Sequence, residues 1–195
     1  IDTGPTMLML PELVAATFAA AGRDMAQYLT IDPVDPMYRT TFADGSELRV
    51  LHDREAMTEE IRSFANAKEA GAFNEFCEWL GDLYAVEMPN FVDVNFDGPW
   101  TVLKRWRSVL DIAKHGGFGR LDNRIASFFD DERLQRVFSY QTLLGGLSPA
   151  DALALYAIVC YMDTVGGLYA PRGGMHQLPR ALARAVADAG GAFRY

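Results

Sequence analysis

A chain of 195 residues, half of them hydrophobic, can bury a sizeable core and is too apolar to be disordered. Its formal charge of −8 and sequence pI of about 4.8 argue against a nucleic-acid partner and against a uniformly basic membrane-binding surface. Cys77 and Cys160 lie in apolar helical patterns without CxxC spacing, and His52, His115 and His176 are scattered, so buried free thiols, no metal site and a reducing cytoplasm are expected.

The opening Asp2-Thr3-Gly4-Pro5-Thr6 is a polar, tight turn that suits close approach of a flat ligand, and equally an ordinary turn with a cap. Pro11-Glu12 starts an apolar helix that runs to Gly22. Residues 37–51 read as a β-hairpin, with Met37–Phe42 and Glu47–Leu51 flanking Ala43-Asp44-Gly45-Ser46. Asp53 is an N-cap, and a helix from about Ala67 to Tyr84 buries Phe73, Phe76, Cys77 and Leu80. Further helices are predicted at Trp100 to Lys114, Asn123 to Phe129 and Asp131 to Leu144. Gly116-Gly117-Phe118-Gly119 lacks the third glycine and preceding strand of a dinucleotide fingerprint. Asp130-Asp131 reads as a helix cap rather than an acid–base pair.

Ser148-Pro149-Ala150-Asp151 resembles a capping box, and Ala152 to Met162 continues it as a helix with no polar face. That run, the longest unbroken apolar one, is short of the ~20 residues a membrane-spanning helix needs. A last amphipathic helix is predicted from Met175 to Ala189, with Pro179 in its first turn and Gly190-Gly191 after it. A short apolar run ending in Pro171-Arg172-Gly173-Gly174 precedes it and Ala192–Tyr195 follows, giving strand, glycine turn, helix, strand. The sequence begins at Ile1 rather than methionine and stops in an apparent strand, so a piece of a longer protein is expected.

Leu168-Tyr169-Ala170-Pro171-Arg172-Gly173-Gly174-Met175, followed by Leu178, Ala181-Leu182 and Gly190-Gly191, resembles a segment of the phytoene desaturase-like, carotenoid-forming flavoproteins. Three more blocks match in order: Asp2 to Thr6, the hairpin from Tyr38 to Leu51, and Phe138-Ser139-Tyr140-Gln141 with Gly146-Leu147-Ser148-Pro149. The resemblance implies an α+β, mixed α/β architecture. In it residues 1–34 and 168–195 belong to a flavin amine oxidase-like FAD-binding domain, and residues 35–167 form a mainly helical substrate domain carrying the hairpin.

It further implies an FAD-dependent oxidoreductase that desaturates a long isoprenoid, with hydride passing to the flavin. Gly4, Pro5 and Thr6 are then cofactor contacts, and Tyr140, Gln141, Tyr156, Gly173, Gly174 and Met175 are substrate-contact candidates; no residue declares itself as the base. The main FAD motifs of that family are outside this sequence, so the chain by itself is expected to be inactive. Polyene isomerases and saturases, an amine oxidase-like flavoenzyme and a non-catalytic helical lipid-binding module remain alternatives. An insoluble substrate implies peripheral docking on the cytoplasmic face of a membrane. The candidate is the helix Trp100 to Lys114, where Val102, Leu103, Trp106, Val109, Leu110 and Ala113 form a stripe bordered by Arg105, Arg107 and Lys114.

Overall fold

The computed structural model describes residues 4, 6–96 and 98–194, with the side chains of 99, 101 and 102 outside that description. Helix α1 (Pro11–Ala20) leads through a 3-10 turn at Met25–Gln27 to the short strand β1 (Ile31–Pro33). The hairpin follows as β2 (Tyr38–Thr41) and β3 (Glu47–Val50), antiparallel with Tyr38 opposite Val50 and Thr41 opposite Glu47. Its turn closes because Gly45 accepts φ +80° and the Asp44 carboxylate accepts the Ser46 N–H at 2.9 Å. Leu48 and Val50 are buried while Glu47 and Arg49 are exposed, so alternation puts one hairpin face on the core.

Helix α2 (Arg54–Phe64) is capped by Asp53, which accepts from the Ala56 N–H at 2.8 Å. Helix α3 (Ala67–Glu87) is the spine of the molecule. Asn66 caps it, accepting from the N–H groups of Lys68 and Glu69 at 2.8 and 3.1 Å. Phe73, Phe76, Leu80 and Leu83, at helical spacing, are fully buried along one side. A π turn (Met88–Val92) ends it, and then come α4 (Pro99–Lys104), α5 (Trp106–Lys114), α6 (Leu121–Ala126) and α7 (Glu132–Val137). After 3-10 turns at Tyr140–Gly145 and Ala154–Tyr156, helix α8 (Ala157–Thr164), strand β4 (Tyr169–Pro171) and helix α9 (Gln177–Asp188) complete the order. The principal core joins the α3 stripe to Leu48 and Val50, to Phe129, Leu134 and Phe138, and to Ala157 and Cys160.

A smaller cluster joins Phe18 of α1, Leu29, and Ala181 and Ala185 of α9. The same two ends are tied by strands, because β1 pairs antiparallel with β4, Ile31 facing Pro171, and Leu8 exchanges both backbone hydrogen bonds with Tyr169 at 2.9 Å. Tyr28 donates its hydroxyl to Asp188 at 2.9 Å and Arg23 donates to the Asp188 carbonyl at 2.7 Å.

Several helical expectations are corrected. No continuous helix runs from Ser148 to Met162: Leu153 is extended, with ψ 151°, and the N–H groups of Ala154 and Leu155 donate to the Gly119 and Gly117 carbonyls at 2.7 and 2.8 Å. Those donors are engaged by the glycine loop and cannot continue a helical ladder. The loop itself closes α5, Gly117 donating to the Ile112 carbonyl at 2.9 Å, and a Cβ at Gly117 would stand 2.5 Å from Ile112.

The predicted helix Trp100 to Lys114 is two helices broken at Arg105, and that predicted from Asp131 to Leu144 ends at Val137 and resumes as the 3-10 turn. Ala192, Phe193 and Arg194 form no strand, since a strand needs a neighbouring backbone to complete its ladder. Tyr195 lies outside the described residues.

Candidate functional site

An aromatic opening lies between the hairpin and the segment after α7. It is a groove of about 530 Å³ with Tyr38, Thr40 and Phe42 on one side and Arg136, Val137 and Tyr140 on the other. Strand alternation turns Tyr38 and Thr40 to the same face, and the turn at Tyr140–Gly145 brings Tyr140 across from them. The rings of Tyr38 and Tyr140 meet edge-to-face with centroids 5.6 Å apart and planes at 76°. Burial pushes the Tyr140 phenol up to about 12 and the Tyr38 phenol well above its ordinary value, so both remain neutral donors and their faces remain apolar surface.

Gln141 is buried directly behind this wall and donates to Asp163 on α8 at 3.1 Å. Tyr156, 37 % exposed, borders the other end of the same turn, its ring edge 3.7 Å from where a Cβ on Gly145 would stand. Tyr140, Gln141 and Tyr156 therefore surround one 3-10 turn. Gly173, Gly174 and Met175 sit elsewhere, in the turn after β4, where Gly173 has φ +91° and the Gly174 N–H donates to the Pro171 carbonyl at 2.9 Å. Gly4 and Thr6 are exposed in the segment that leads to Leu8, and Leu8 bridges β4. Pro5 lies outside the described residues. Of the candidates, Tyr140 alone lines the groove; Gln141 and Tyr156 adjoin its turn, and Gly173, Gly174 and Met175 follow β4.

The sequence pattern marks neither Tyr38, which lines the groove, nor Asp163, which is buried behind it. Tyr38 was placed in the hairpin without a role, and Asp163 was not singled out, although it is the carboxylate that ends the apolar run from Ala152 to Met162. A buried acid at the end of such a run is the readable signal. Among the described residues no group of His, Cys, Asp or Glu could hold a metal ion.

A family profile described as flavin containing amine oxidoreductase matches residues 1–195. The chain belongs to this family. It is 51 % identical over its whole length to a phytoene dehydrogenase of Streptomyces griseus, covering 38 % of that protein. It is 30 % identical to a zeta-carotene-forming phytoene desaturase of Myxococcus xanthus and 34 % identical to a hydroxyneurosporene desaturase of Rhodobacter capsulatus, covering 37 % and 39 % of them. The chain therefore spans little more than a third of the curated relatives it matches. The family is a flavin one, and its cofactor is FAD. Among the described residues, nothing lies within 4 Å of where a Cβ on the exposed Gly4 would stand.

Proposed function

We propose that this chain is the substrate-binding and flavin-contacting part of an FAD-dependent oxidoreductase that desaturates a long isoprenoid polyene. The reading is carried by the groove framed by Tyr38, Phe42 and Tyr140, in a chain whose whole length is similar to carotenoid desaturases. Residues 1–34 and 168–195 are assigned to the flavin-binding domain and 35–167 to the substrate domain. Bound FAD supplies the hydride acceptor. In this reading the segment of Gly4, Pro5 and Thr6 lies at the flavin. The aromatic faces hold the polyene by dispersion and exclude water, and the Gly173-Gly174-Met175 turn and Tyr156 border its path.

In the full-length protein, Tyr140→Ala is expected to lower kcat/KM for a C40 polyene by about ten-fold, on the order of one buried aromatic contact. Tyr140→Phe should retain most of the activity, because the ring rather than the hydroxyl does the holding. Product analysis by absorbance of the lengthened chromophore reads both variants. An unchanged rate in Tyr140→Ala refutes the assignment of the groove.

In this reading the water-insoluble substrate is taken from the bilayer surface; no helix of the described residues is long and apolar enough to cross a membrane. The α4–α5 segment suits this contact. Leu103, Trp106 and Leu110 are 59, 55 and 50 % exposed, and Lys104, Arg107 and Lys114 are exposed beside them. Val102 lies outside the description of side chains, and Arg105 is only part-exposed. Exposed Trp and aliphatic residues among cations are the pattern of an interfacial helix. The cytoplasmic leaflet, with its anionic lipids, is the assigned face. Co-sedimentation with anionic vesicles should fall several-fold in Trp106→Ser and in the double variant Arg107→Glu, Lys114→Glu; unaltered binding removes this segment from the contact.

A further inference from the structure

The two walls of the groove belong to different elements, and side chains tie them together at each end. At the Tyr38 end the rings of Tyr38 and Tyr140 meet edge-to-face. At the Phe42 end Arg133 of α7 reaches the hairpin turn: its Nη1 donates to Ser46 Oγ at 3.1 Å and to Asp44 Oδ2 at 3.3 Å. Those are the side chains that close the turn, the Ser46 hydroxyl donating to Asp44 Oδ1 at 2.6 Å. The guanidinium also lies 4.3 Å from the ring centroid of Phe64 and 6.0 Å from that of Phe42, and the two rings are 5.5 Å apart. Phe42 lines the groove, so Arg133 backs one wall as well as joining it to the other.

The N-cap of its own helix aims Arg133. Asp131 accepts from Nε at 3.1 Å and from Nη2 at 2.6 Å, a bidentate contact that fixes the plane of the guanidinium and leaves Nη1 turned to the hairpin. Arg133 stands one helical turn before Arg136 and Val137, which line the facing wall. Strand β3 has its own anchors, the buried Leu48 and Val50 and the Arg49–Glu60 pair at 2.6 Å. Strand β2, which supplies the groove wall, buries no residue fully.

We propose that Arg133 is a positioning residue that latches the hairpin turn to α7 and so sets the Phe42 end of the groove for the polyene. With the latch made, the turn and α7 keep one spacing. Without it the turn swings on the β3 anchors and that end of the groove widens. Arg133 does not itself line the groove; it acts through Phe42 and the turn. A lysine keeps the charge but lacks the fork, so it cannot grip Asp131 with two donors while directing a third at Asp44 and Ser46.

The latch stands on this geometry, whereas its effect on substrate rests on the function proposed above. In the full-length protein, Arg133→Lys and Arg133→Met should both speed amide hydrogen exchange at Phe42 and Gly45, whose N–H groups bond across the turn to the Ser46 and Phe42 carbonyls at 2.9 Å. The side chains of Arg133 and Asp44 are 30 and 57 % exposed. The expected factor is therefore about two- to five-fold, the scale of one part-exposed ion pair. KM for a C40 polyene should rise by about two- to five-fold with kcat retained, as when the binding-competent arrangement becomes less populated. Arg49→Gln, which breaks the hairpin's ion pair to α2, controls for general loss of stability and should leave KM unchanged.

Unchanged exchange at Phe42 and Gly45 overturns the latch. Faster exchange with an unchanged KM overturns its link to the groove. An equal rise of KM in Arg49→Gln means that loosening the hairpin anywhere suffices, and overturns the assignment to Arg133. If Arg133→Met does not fold, Arg133→Lys decides. Faster exchange in a protein whose parent turns over no polyene supports the latch and refutes the proposed function.

Discussion

Phe76→Ala is expected to lower the free energy of unfolding by roughly 3–5 kcal/mol, the range for removing a large buried aromatic side chain. The Phe76 side chain is fully buried at the middle of α3. Its ring lies 5.8 Å from Trp79, 5.5 Å from Phe128, 5.3 Å from Phe129 and 5.4 Å from Phe138, measured between centroids. Phe138 in turn stacks on Phe73 at 5.5 Å and on Phe129 at 5.1 Å. Truncating Phe76 opens a cavity between α3 and the loops on either side of α7, which rigid neighbours fill only in part.

Domains of this size have total stabilities on the order of 5–15 kcal/mol, so the variant stands near the limit of folding. The effect should extend to the groove, because Phe138 precedes Tyr140 by two residues. Urea denaturation measures the loss. Leu144→Ala, at a position 75 % exposed, is the control and should fall within about 0.5 kcal/mol of the parent. A loss under about 1 kcal/mol at Phe76 would mean that the aromatic cluster repacks freely and does not anchor α3.

Such a core was readable because its signals are local. The stripe Phe73, Phe76, Cys77 and Leu80, the cap at Asp53, the Asp44-Gly45 turn and the Pro179 and Gly190 boundaries each depend on residues a few positions apart, and the structure forms α3, α2, the hairpin and α9 there. What local pattern could not supply is competition from a distant backbone. Ser148-Pro149 followed by an apolar run satisfies every helix-start rule, yet the Gly117 and Gly119 carbonyls take the N–H groups of Leu155 and Ala154.

Strand β1 was equally illegible, since three residues carry no periodicity and its partner β4 lies far along the chain. At the groove, Tyr140 and Gln141 were reachable through family resemblance. Tyr38 entered that resemblance only as the start of the hairpin and Asp163 not at all, because their contacts arise from elements that meet only after folding. The exposed face of α5 shows the converse limit: a helical stripe of Trp106 and Leu110 has the same spacing whether it faces a core or a bilayer.

Glu87→Gln is expected to raise stability at alkaline pH, and the sign follows from burial. Glu87 ends α3, is 4 % exposed, and its Oε1 has no hydrogen-bond partner. Burial, with no compensating cation, raises its pKa from 4.5 to about 8. A carboxyl whose folded pKa exceeds its unfolded value contributes stability that is fully present below the unfolded pKa and is lost as pH rises through the folded one. The parent should therefore lose stability between pH 4.5 and about 8 through this group, on the order of 2–4 kcal/mol once water penetration and relaxation reduce the full shift.

Glutamine keeps the shape and cannot ionise, so the variant lacks that slope. Asp131 and Glu60, whose arginine hydrogen bonds lower their pKa values, and Asp163 act equally in both proteins and cancel in the difference. The slope of the difference is the reading, not its offset, because the amide brings two donors that must themselves find partners. Urea unfolding at several pH values from about 4 to about 9 should give a stability difference that is flat in acid, grows through neutrality and levels above pH 8. A difference independent of pH would show that Glu87 has a partner in solution and stays ionised at neutral pH.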